Sequence, residues 1–291
     1  MNIRELFALP GTSVSFEFFP PQTEAAESTL LREVVPALKE LRPRFFSVTY
    51  GAGGGTRDKT LGIVDRIRRD HAVEAMAHLT CVGSTKEMLS GVLDEILRLG
   101  IENILCLRGD PPKGEKTFKA TAGGFANAVD LIRFVRKRGA KVGIGAACYP
   151  EGHIECPDRV LDWDRAATKV EAGADFLISQ LFYRIEPFFE MVDYLRTKRG
   201  VKVPIIPGVL PILKTEQIKR FTTLCGATMP PGLMDKLEAH AHDDETVRKI
   251  GVETATQMCR DLLARGVVGI HFYCLNRAPS VREVLHNLKM A

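Results

Sequence analysis

The chain repeats one unit, a short apolar run followed by a helical pattern, and this repetition is the strongest constraint on its fold. The apolar runs are continuous rather than alternating, which is typical of strands buried on both faces of a parallel sheet. The helical patterns between them place apolar residues on one face, as in residues 86–99. The runs lie at 14–18, 45–48, 75–79, 104–107, 142–147, 176–179, 204–207 and 270–272.

Glycine marks the end of five helical patterns, just before the next apolar run. Such a glycine supplies the left-handed conformation that lets a helix stop and turn back toward the sheet. Eight strand–helix units make a (β/α)8 barrel, so the sequence predicts an α/β fold, a single TIM barrel over residues 1–291. An extra helical segment is expected within residues 228–244, before the last βα unit. The five glycines are Gly100, Gly139, Gly173, Gly200 and Gly266.

Composition and charge exclude several classes of function. The 40 basic and 36 acidic residues are well mixed along the chain, so no nucleic-acid partner is expected. The apolar runs are far too short to span a membrane, and the N-terminus does not have the pattern of a signal peptide. Seven cysteines without CxxC pairs indicate free thiols in a reducing compartment, and we expect a cytoplasmic protein.

Polar residues are concentrated where the predicted strands end. In a barrel of this class the active site lies at the C-terminal ends of the strands and in the loops that follow. The concentration therefore argues for a site at this rim. The residues are Glu17, Thr49, His78, Arg108, Asp110, Tyr149, His153, Gln180, Asn276 and Arg277.

Glu17 stands between phenylalanines, in Phe16-Glu17-Phe18-Phe19, just before Pro20-Pro21. An unpaired buried carboxylate is costly, and an enzyme retains one mainly where a raised pKa is useful. The alternative is a solvated glutamate on an edge strand that has aromatic neighbours by chance. On the segment alone the two interpretations are equally weighted.

Two glycine-containing motifs follow strands. Gly51-Ala52-Gly53-Gly54-Gly55 lacks the third glycine of a dinucleotide fingerprint, so we interpret it as a flexible loop that lines a pocket. In Arg108-Gly109-Asp110 the arginine can clamp a phosphate, and the glycine allows the backbone to approach a flat ligand. Asp110 could hydrogen-bond a heterocycle. The alternative is a structural salt bridge at the rim.

The remaining polar groups suit a planar organic ligand better than a metal. Cys148, His153 and Cys156 have no recognised ligand spacing, so no metal is expected. Tyr149 and His153 are suited to hydrogen bonding or stacking on an aromatic cofactor. Gln180 could bind amide and amine edges or be an ordinary rim glutamine. Arg277 could hold a carboxylate or pair with a loop.

Taken together, eight ordered motifs from about residue 13 to residue 277 resemble the methylenetetrahydrofolate reductase family, in its short bacterial-type form. They are Phe16-Glu17-Phe18-Phe19-Pro20-Pro21, Ser47-Val48-Thr49-Tyr50-Gly51-Ala52, His78-Leu79-Thr80-Cys81, Leu107-Arg108-Gly109-Asp110, Tyr149-Pro150-Glu151-Gly152-His153, Gln180-Leu181-Phe182, Pro207-Gly208-Val209-Leu210-Pro211 and His271-Phe272-Tyr273-Cys274-Leu275-Asn276-Arg277.

The resemblance implies an FAD enzyme that reduces 5,10-methylenetetrahydrofolate to 5-methyltetrahydrofolate by a ping-pong route. NADH or NADPH is the donor, with NADH favoured by analogy, and a homo-oligomer is expected because the family commonly assembles. Glu17 then resembles the general acid that protonates the folate's bridging nitrogen, with its phenylalanine neighbours raising its pKa, and Asp110 tunes the flavin. Gln180 and Arg277 match substrate-binding positions. Positions that contact FAD are Thr49, His78, Arg108, Gly109, Asp110, Ala128, Tyr149, His153, Asp162 and Lys169.

Four positions depart from the family pattern. Asn127, Arg165 and Thr168 stand where a tyrosine, an asparagine and an arginine are common, at the phosphate and adenosine end of the cofactor site. Thr215 replaces an aromatic residue that in some members lies against nicotinamide and folate. Two other classes stay open: a flavin-free barrel lyase or transferase acting on a pterin, and a folate- or flavin-binding protein without catalysis.

Overall fold

Eight parallel strands close into a barrel in chain order, which confirms the predicted fold. The computed structural model describes residues 1–50, 57–111, 114–115 and 117–290. The first and last strands pair in register, with Ser13 opposite Gly269 and Glu17 opposite Tyr273. The strands are β1 Ser13–Phe18, β2 Phe45–Val48, β3 Glu74–Thr80, β4 Asn103–Leu107, β5 Gly143–Cys148, β6 Phe176–Leu181, β7 Ile205–Val209 and β8 Gly269–Tyr273.

Helices surround the barrel, and the five predicted glycines follow helices with φ between +64° and +119°. A π-helical turn, Leu30–Val34, joins the second and third helices, and residues 228–244 contain the tenth. The helices are α1 Ile3–Leu6, α2 Glu24–Thr29, α3 Val35–Lys39, α4 Arg57–His71, α5 Lys86–Arg98, α6 Ala128–Lys137, α7 Arg159–Glu171, α8 Ile185–Thr197, α9 Thr215–Cys225, α10 Leu233–Ala239, α11 Asp244–Ala264 and α12 Pro279–Asn287.

The largest apolar cluster lies between the strands and the helices. Successive side chains of a strand point to opposite faces, so alternate residues of β1 face the helices. Phe16 and Phe18 do so, and their rings lie 5.2–6.1 Å from those of Phe46 and Phe272. The intervening residues of β1 face the interior of the barrel.

The N-terminal end of the barrel is closed by α1. Ile3 and Leu6 are buried against side chains that fill the lower interior. The amide of Ile3 donates a hydrogen bond of 2.8 Å to the side-chain oxygen of Asn103, the first residue of β4. This floor leaves the C-terminal mouth as the way into the interior. The filling side chains are Phe45, Met76, Leu105, Phe176, Ile178 and Ile206.

Two further expectations concern the whole chain. All seven cysteines are free thiols, as their spacing predicts. Among the helices of the described residues, none is both long and apolar enough to cross a membrane.

Candidate active site

A carboxylate and two imidazoles meet inside the barrel, just below the mouth. Glu17 projects inward from β1, and its side-chain atom Oε2 lies 3.2 Å from Nε2 of His271 on β8 and 3.3 Å from Nε2 of His78 on β3. All three residues are buried, with Glu17 only 7% exposed. The interpretation of Glu17 as a solvated edge-strand residue is therefore wrong, because a closed barrel has no edge strand.

Each imidazole is also held by a serine of a neighbouring strand. The hydroxyl of Ser15 lies 2.8 Å from Nδ1 of His271, and the hydroxyl of Ser47 lies 2.7 Å from Nε2 of His78. A carboxylate only accepts, so Nε2–H of His271 donates to Glu17, and in the neutral ring Nδ1 accepts from Ser15. The arrangement is a hydrogen-bonded cluster that can hold a proton next to Glu17.

The ionisation of Glu17 differs from the expectation of a raised pKa. Burial raises the pKa of this carboxyl, but the charges and hydrogen bonds of His78 and His271 outweigh burial and lower it to about 2. The expectation was wrong because Phe16 and Phe18 face the helices and do not surround the carboxyl group. Glu17 is consequently ionised at neutral pH in this state of the protein.

Arg108 lies at the end of β4 and is already engaged by a carboxylate. Its guanidinium donates two hydrogen bonds, of 2.6 and 2.8 Å, to Glu155, and it lies 4.8 Å from the centre of the Phe118 ring. This is the rim salt bridge of the alternative interpretation. Gly109 has φ +87°, and a Cβ there would lie 2.6 Å from the side chain of Val82, so packing within the protein already requires glycine.

Beside Arg108, the loop after β5 brings two aromatic residues together. The rings of Tyr149 and His153 meet edge to face at 4.8 Å, and the Lys169 ammonium lies 5.7 Å from the Tyr149 ring. Burial lowers the pKa of Lys169 and raises the pKa of Asp162, which both belong to α7. Burial also lowers the pKa of His153. The predicted cofactor residues of the loop after β5 and of α7 are thus neighbours in space.

These groups fit the FAD that the resemblance implies. Arg108 and Lys169 are two cations near one another, as the diphosphate of a dinucleotide requires. One of the three N–H donors of Lys169 is used by the carbonyl of Ala147 at 2.8 Å, so donors remain for an anion. Three other predicted positions lie around the same mouth: Thr49 is half-buried, Asp110 is exposed, and Ala128 is buried at the start of α6.

Three of the four residues that depart from the family pattern form hydrogen bonds within the protein. Asn127 is the N-cap of α6, and its side chain accepts a hydrogen bond of 3.0 Å from the amide of Asp130. Thr168 donates to the carbonyl of Asp164, and Thr215, which is 2% exposed, donates to the carbonyl of Leu237. Arg165 is exposed on α7.

Gln180 is shaped by an irregularity in β6. The register with β7 shifts between Ile178 and Leu181, and the Gln180 side-chain oxygen accepts a hydrogen bond of 2.8 Å from the amide of Leu181. The hydroxyl of Tyr273 donates to the carbonyl of Ser179 at 2.7 Å and braces this strand end from β8. The side-chain NH2 group of Gln180 can donate to a ligand. Arg277 is exposed four residues beyond β8.

Sequence reasoning did not select Ser15, Ser47 or His271 as site residues. The available signal was alternation, since Ser13, Ser15 and Glu17 share the inward face of β1, where a barrel core is usually apolar. The glycine-rich segment 51–55 and Pro112 lie outside the described residues. Within the described part, no group of three or more His, Cys, Asp or Glu side chains is arranged to hold a metal ion.

Comparisons with known proteins agree on one family. The family model described as methylenetetrahydrofolate reductase matches residues 3–289. Methylenetetrahydrofolate reductase (NADH) 1 of Arabidopsis thaliana is 40% identical over 291 residues, covering 95% of this chain and 48% of that protein. The chain thus spans about half the length of this plant relative. The 5,10-methylenetetrahydrofolate reductases of Salmonella typhimurium and Escherichia coli are each 36% identical over 276 residues, covering 95% of this chain and 90% of theirs.

A solved structure from Clostridium thermocellum has the same fold. It is described as an uncharacterized protein that binds two copies of 5-methyl-5,6,7,8-tetrahydrofolic acid. The two chains superpose with a TM-score of 0.64, covering 99% of this chain and 98% of that one. Their sequences are 15% identical, so the likeness extends to the fold alone.

Proposed function

The chain belongs to the methylenetetrahydrofolate reductase family, and from that premise we propose that it catalyses the FAD-dependent reduction of 5,10-methylenetetrahydrofolate to 5-methyltetrahydrofolate. The observation that carries the proposal is the Glu17 cluster, a buried carboxylate in contact with two imidazoles just below the mouth of the barrel. Bound FAD supplies the hydride-transfer chemistry. The residues of the chain bind and orient the cofactor and the folate, and they move the proton.

NADH is the favoured donor. The plant relative is named as an NADH enzyme, and this supports NADH over NADPH for this chain. We further propose a ping-pong route, in which the two substrates use the mouth in turn. The closed floor supports it, because α1 fills the opposite end of the interior. A cytoplasmic location and a homo-oligomeric state stay predictions.

The proton reaches the folate through Glu17. Because the pKa of Glu17 is about 2 in the free site, the carboxyl is ionised at neutral pH and must take up a proton before it can act as an acid. A bound ring that covers the mouth excludes water and favours the neutral carboxyl. Oε2 of Glu17 takes up one proton from solvent as the folate binds and then donates that proton to the bridging nitrogen of the folate.

Arg108 would hold the diphosphate of the cofactor. Its bidentate contact with Glu155 has the geometry that a phosphate would take, so the diphosphate would replace this carboxylate or share the guanidinium with it. Lys169, Tyr149 and His153 complete that side of the cofactor site. Gln180 and Arg277 hold the folate.

The absorbance spectrum of the purified protein tests the proposal. We expect a yellow protein that NADH bleaches without oxygen and that methylenetetrahydrofolate returns to yellow. A colourless protein that does not take up added FAD would overturn it. Turnover of a pterin substrate by such a protein would favour the flavin-free lyase or transferase, and binding without hydride transfer would favour a non-catalytic protein.

A further inference from the structure

Asn276 joins the loop after β8 to the residue that follows β1. Its side-chain oxygen accepts a hydrogen bond of 2.9 Å from the amide of Phe19, and its side-chain nitrogen donates one of 2.8 Å to the carbonyl of the same residue. One side chain thus satisfies both backbone groups of Phe19, as a neighbouring strand would. Next to it, the thiol of Cys274 lies 3.0 Å from the carbonyl of Glu17.

The backbone of this loop is strained in a way that serves the contact. Leu275 and Asn276 have φ of +52° and +56°, in the left-handed region that residues other than glycine and asparagine seldom adopt. Two such residues in succession persist only where the surrounding structure holds them, and strain of this kind is concentrated at functional sites. Here the strained turn places Asn276 against Phe19 and sends the chain on to Arg277.

Phe19 is the only exposed phenylalanine, tyrosine or tryptophan side chain among the described residues. It is 44% exposed, whereas Phe16 and Phe18 are fully buried. Pro20 follows it and restricts its backbone to extended conformations, while Asn276 fixes both of its backbone groups. The backbone that carries this exposed ring is held at both of its polar groups, which suits contact with a ligand.

The order of groups along the mouth matches the order of groups in the substrate. In methylenetetrahydrofolate the bridging nitrogen is bonded to an aromatic benzoyl ring, which in turn carries the glutamate carboxylates. In the protein, Glu17 is assigned to the nitrogen and Arg277 to a carboxylate. The backbone of Phe19 is hydrogen-bonded to the side chain of Asn276, the residue before Arg277. Phe19 also lies two residues after Glu17 in the chain.

We propose that Phe19 packs against the benzoyl ring of the folate, and that Asn276 is a positioning residue that holds Phe19 there. This inference rests on the proposed function and adds a residue that recognises the middle of the substrate. Thr215, at the start of α9, has no ring and is buried with its hydroxyl on the carbonyl of Leu237, so it does not supply an aromatic contact.

Four variants and a control test the pair through the steady-state KM for methylenetetrahydrofolate. Phe19→Leu should raise KM about tenfold, the change that corresponds to loss of one aromatic contact. Phe19→Tyr keeps a ring and should have a KM close to that of the wild type. Asn276→Gly keeps the left-handed backbone and removes the clamp, so it should raise KM in the same direction. Because Asn276 acts through Phe19, the double variant should be no worse than Phe19→Leu.

The control and the further readouts separate this role from a general structural one. Val268→Ala changes a side chain of equal exposure, 44%, just before β8 at the opposite end of the barrel, and should leave KM unchanged. FAD content and the rate of flavin reduction by NADH should change far less than KM in the three variants that raise KM. An unaltered KM in Phe19→Leu, or additive effects in the double variant, would overturn this inference alone. Wild-type protein that never turns over methylenetetrahydrofolate would overturn the proposed function as well.

Discussion

The carboxylate of Glu17 lies within 3.3 Å of two imidazoles and is ionised at neutral pH. Glu17 is proposed to donate a proton to the folate, so it must first be protonated when the folate binds. Its charge in the free protein is therefore as important for this role as its position. Glu17→Gln keeps the shape of the side chain and removes the transferable proton. We expect folate reduction to fall by about 10²–10⁴-fold, the usual contribution of a positioned acid.

Stopped-flow measurement of the two half-reactions checks this prediction. Reduction of the flavin by NADH needs no proton from Glu17 and should persist in Glu17→Gln. Oxidation of the reduced flavin by methylenetetrahydrofolate should be slow. Equal losses in both half-reactions would contradict the assigned role.

The lowered pKa of Glu17 also makes folding stability depend on pH. The unfolded carboxyl has a pKa near 4.5 and the folded one near 2, so its contribution is fully present above about pH 4.5. It is lost as the pH falls from about 4.5 toward 2, because the unfolded chain gains a proton first. The free energy of unfolding from urea titrations should therefore converge between wild type and Glu17→Gln as the pH falls through this window. A difference that is constant with pH would show that the pKa is not lowered.

At the scale of single residues, sequence reasoning located Glu17 but not its ionisation. Its place at a strand end follows from the local pattern, whereas its burial does not, since the segment alone weights a buried and a solvated glutamate equally. Its partner His271 is 254 residues away in the chain and becomes a neighbour only when β8 closes on β1. A pKa set by such contacts is a property of the closed barrel and is absent from the segment around Glu17.

Among the elements, α6 begins at a residue where the chain departs from its family. Asn127 caps this helix, and tyrosine, the common residue there, cannot accept the same hydrogen bond. Asn127→Tyr should therefore destabilise the protein by about 1 kcal/mol, the usual cost of losing an N-cap. Asn127→Ser keeps a capping oxygen without placing a second carboxylate beside Asp130, and should cost far less. Chemical denaturation of the three proteins checks this, and equal stability of Asn127→Tyr and wild type would contradict it.

Strand boundaries could be predicted to within two residues, and the larger differences from the pattern have physical causes. The strand expected at 176–179 continues to Leu181, because pairing with β7 resumes beyond a register shift. A local apolar pattern does not include such a shift. The helix α1 is four residues long, too short for a helical period to be recognised, so its role as the barrel floor was not predicted.

At the scale of the whole molecule, the floor formed by α1 should be a large contributor to stability. Ile3 is fully buried against the lower interior, and Ile3→Ala would leave a cavity there. We expect a loss of about 2–5 kcal/mol in the free energy of unfolding, measured by urea denaturation. Leu9→Ala, a matched truncation at a side chain that is 40% exposed, should have little effect. Similar losses in the two variants would mean that the floor is not tightly packed.

The closed floor also has a consequence for how the rate depends on metabolite supply. On the proposed ping-pong route, NADH and methylenetetrahydrofolate would use the same mouth in turn, so a product would have to leave before the next reactant enters. A large excess of either ligand would occupy the mouth during the half-reaction that belongs to the other. Turnover would then need both pools, and such an excess of one of them would slow it.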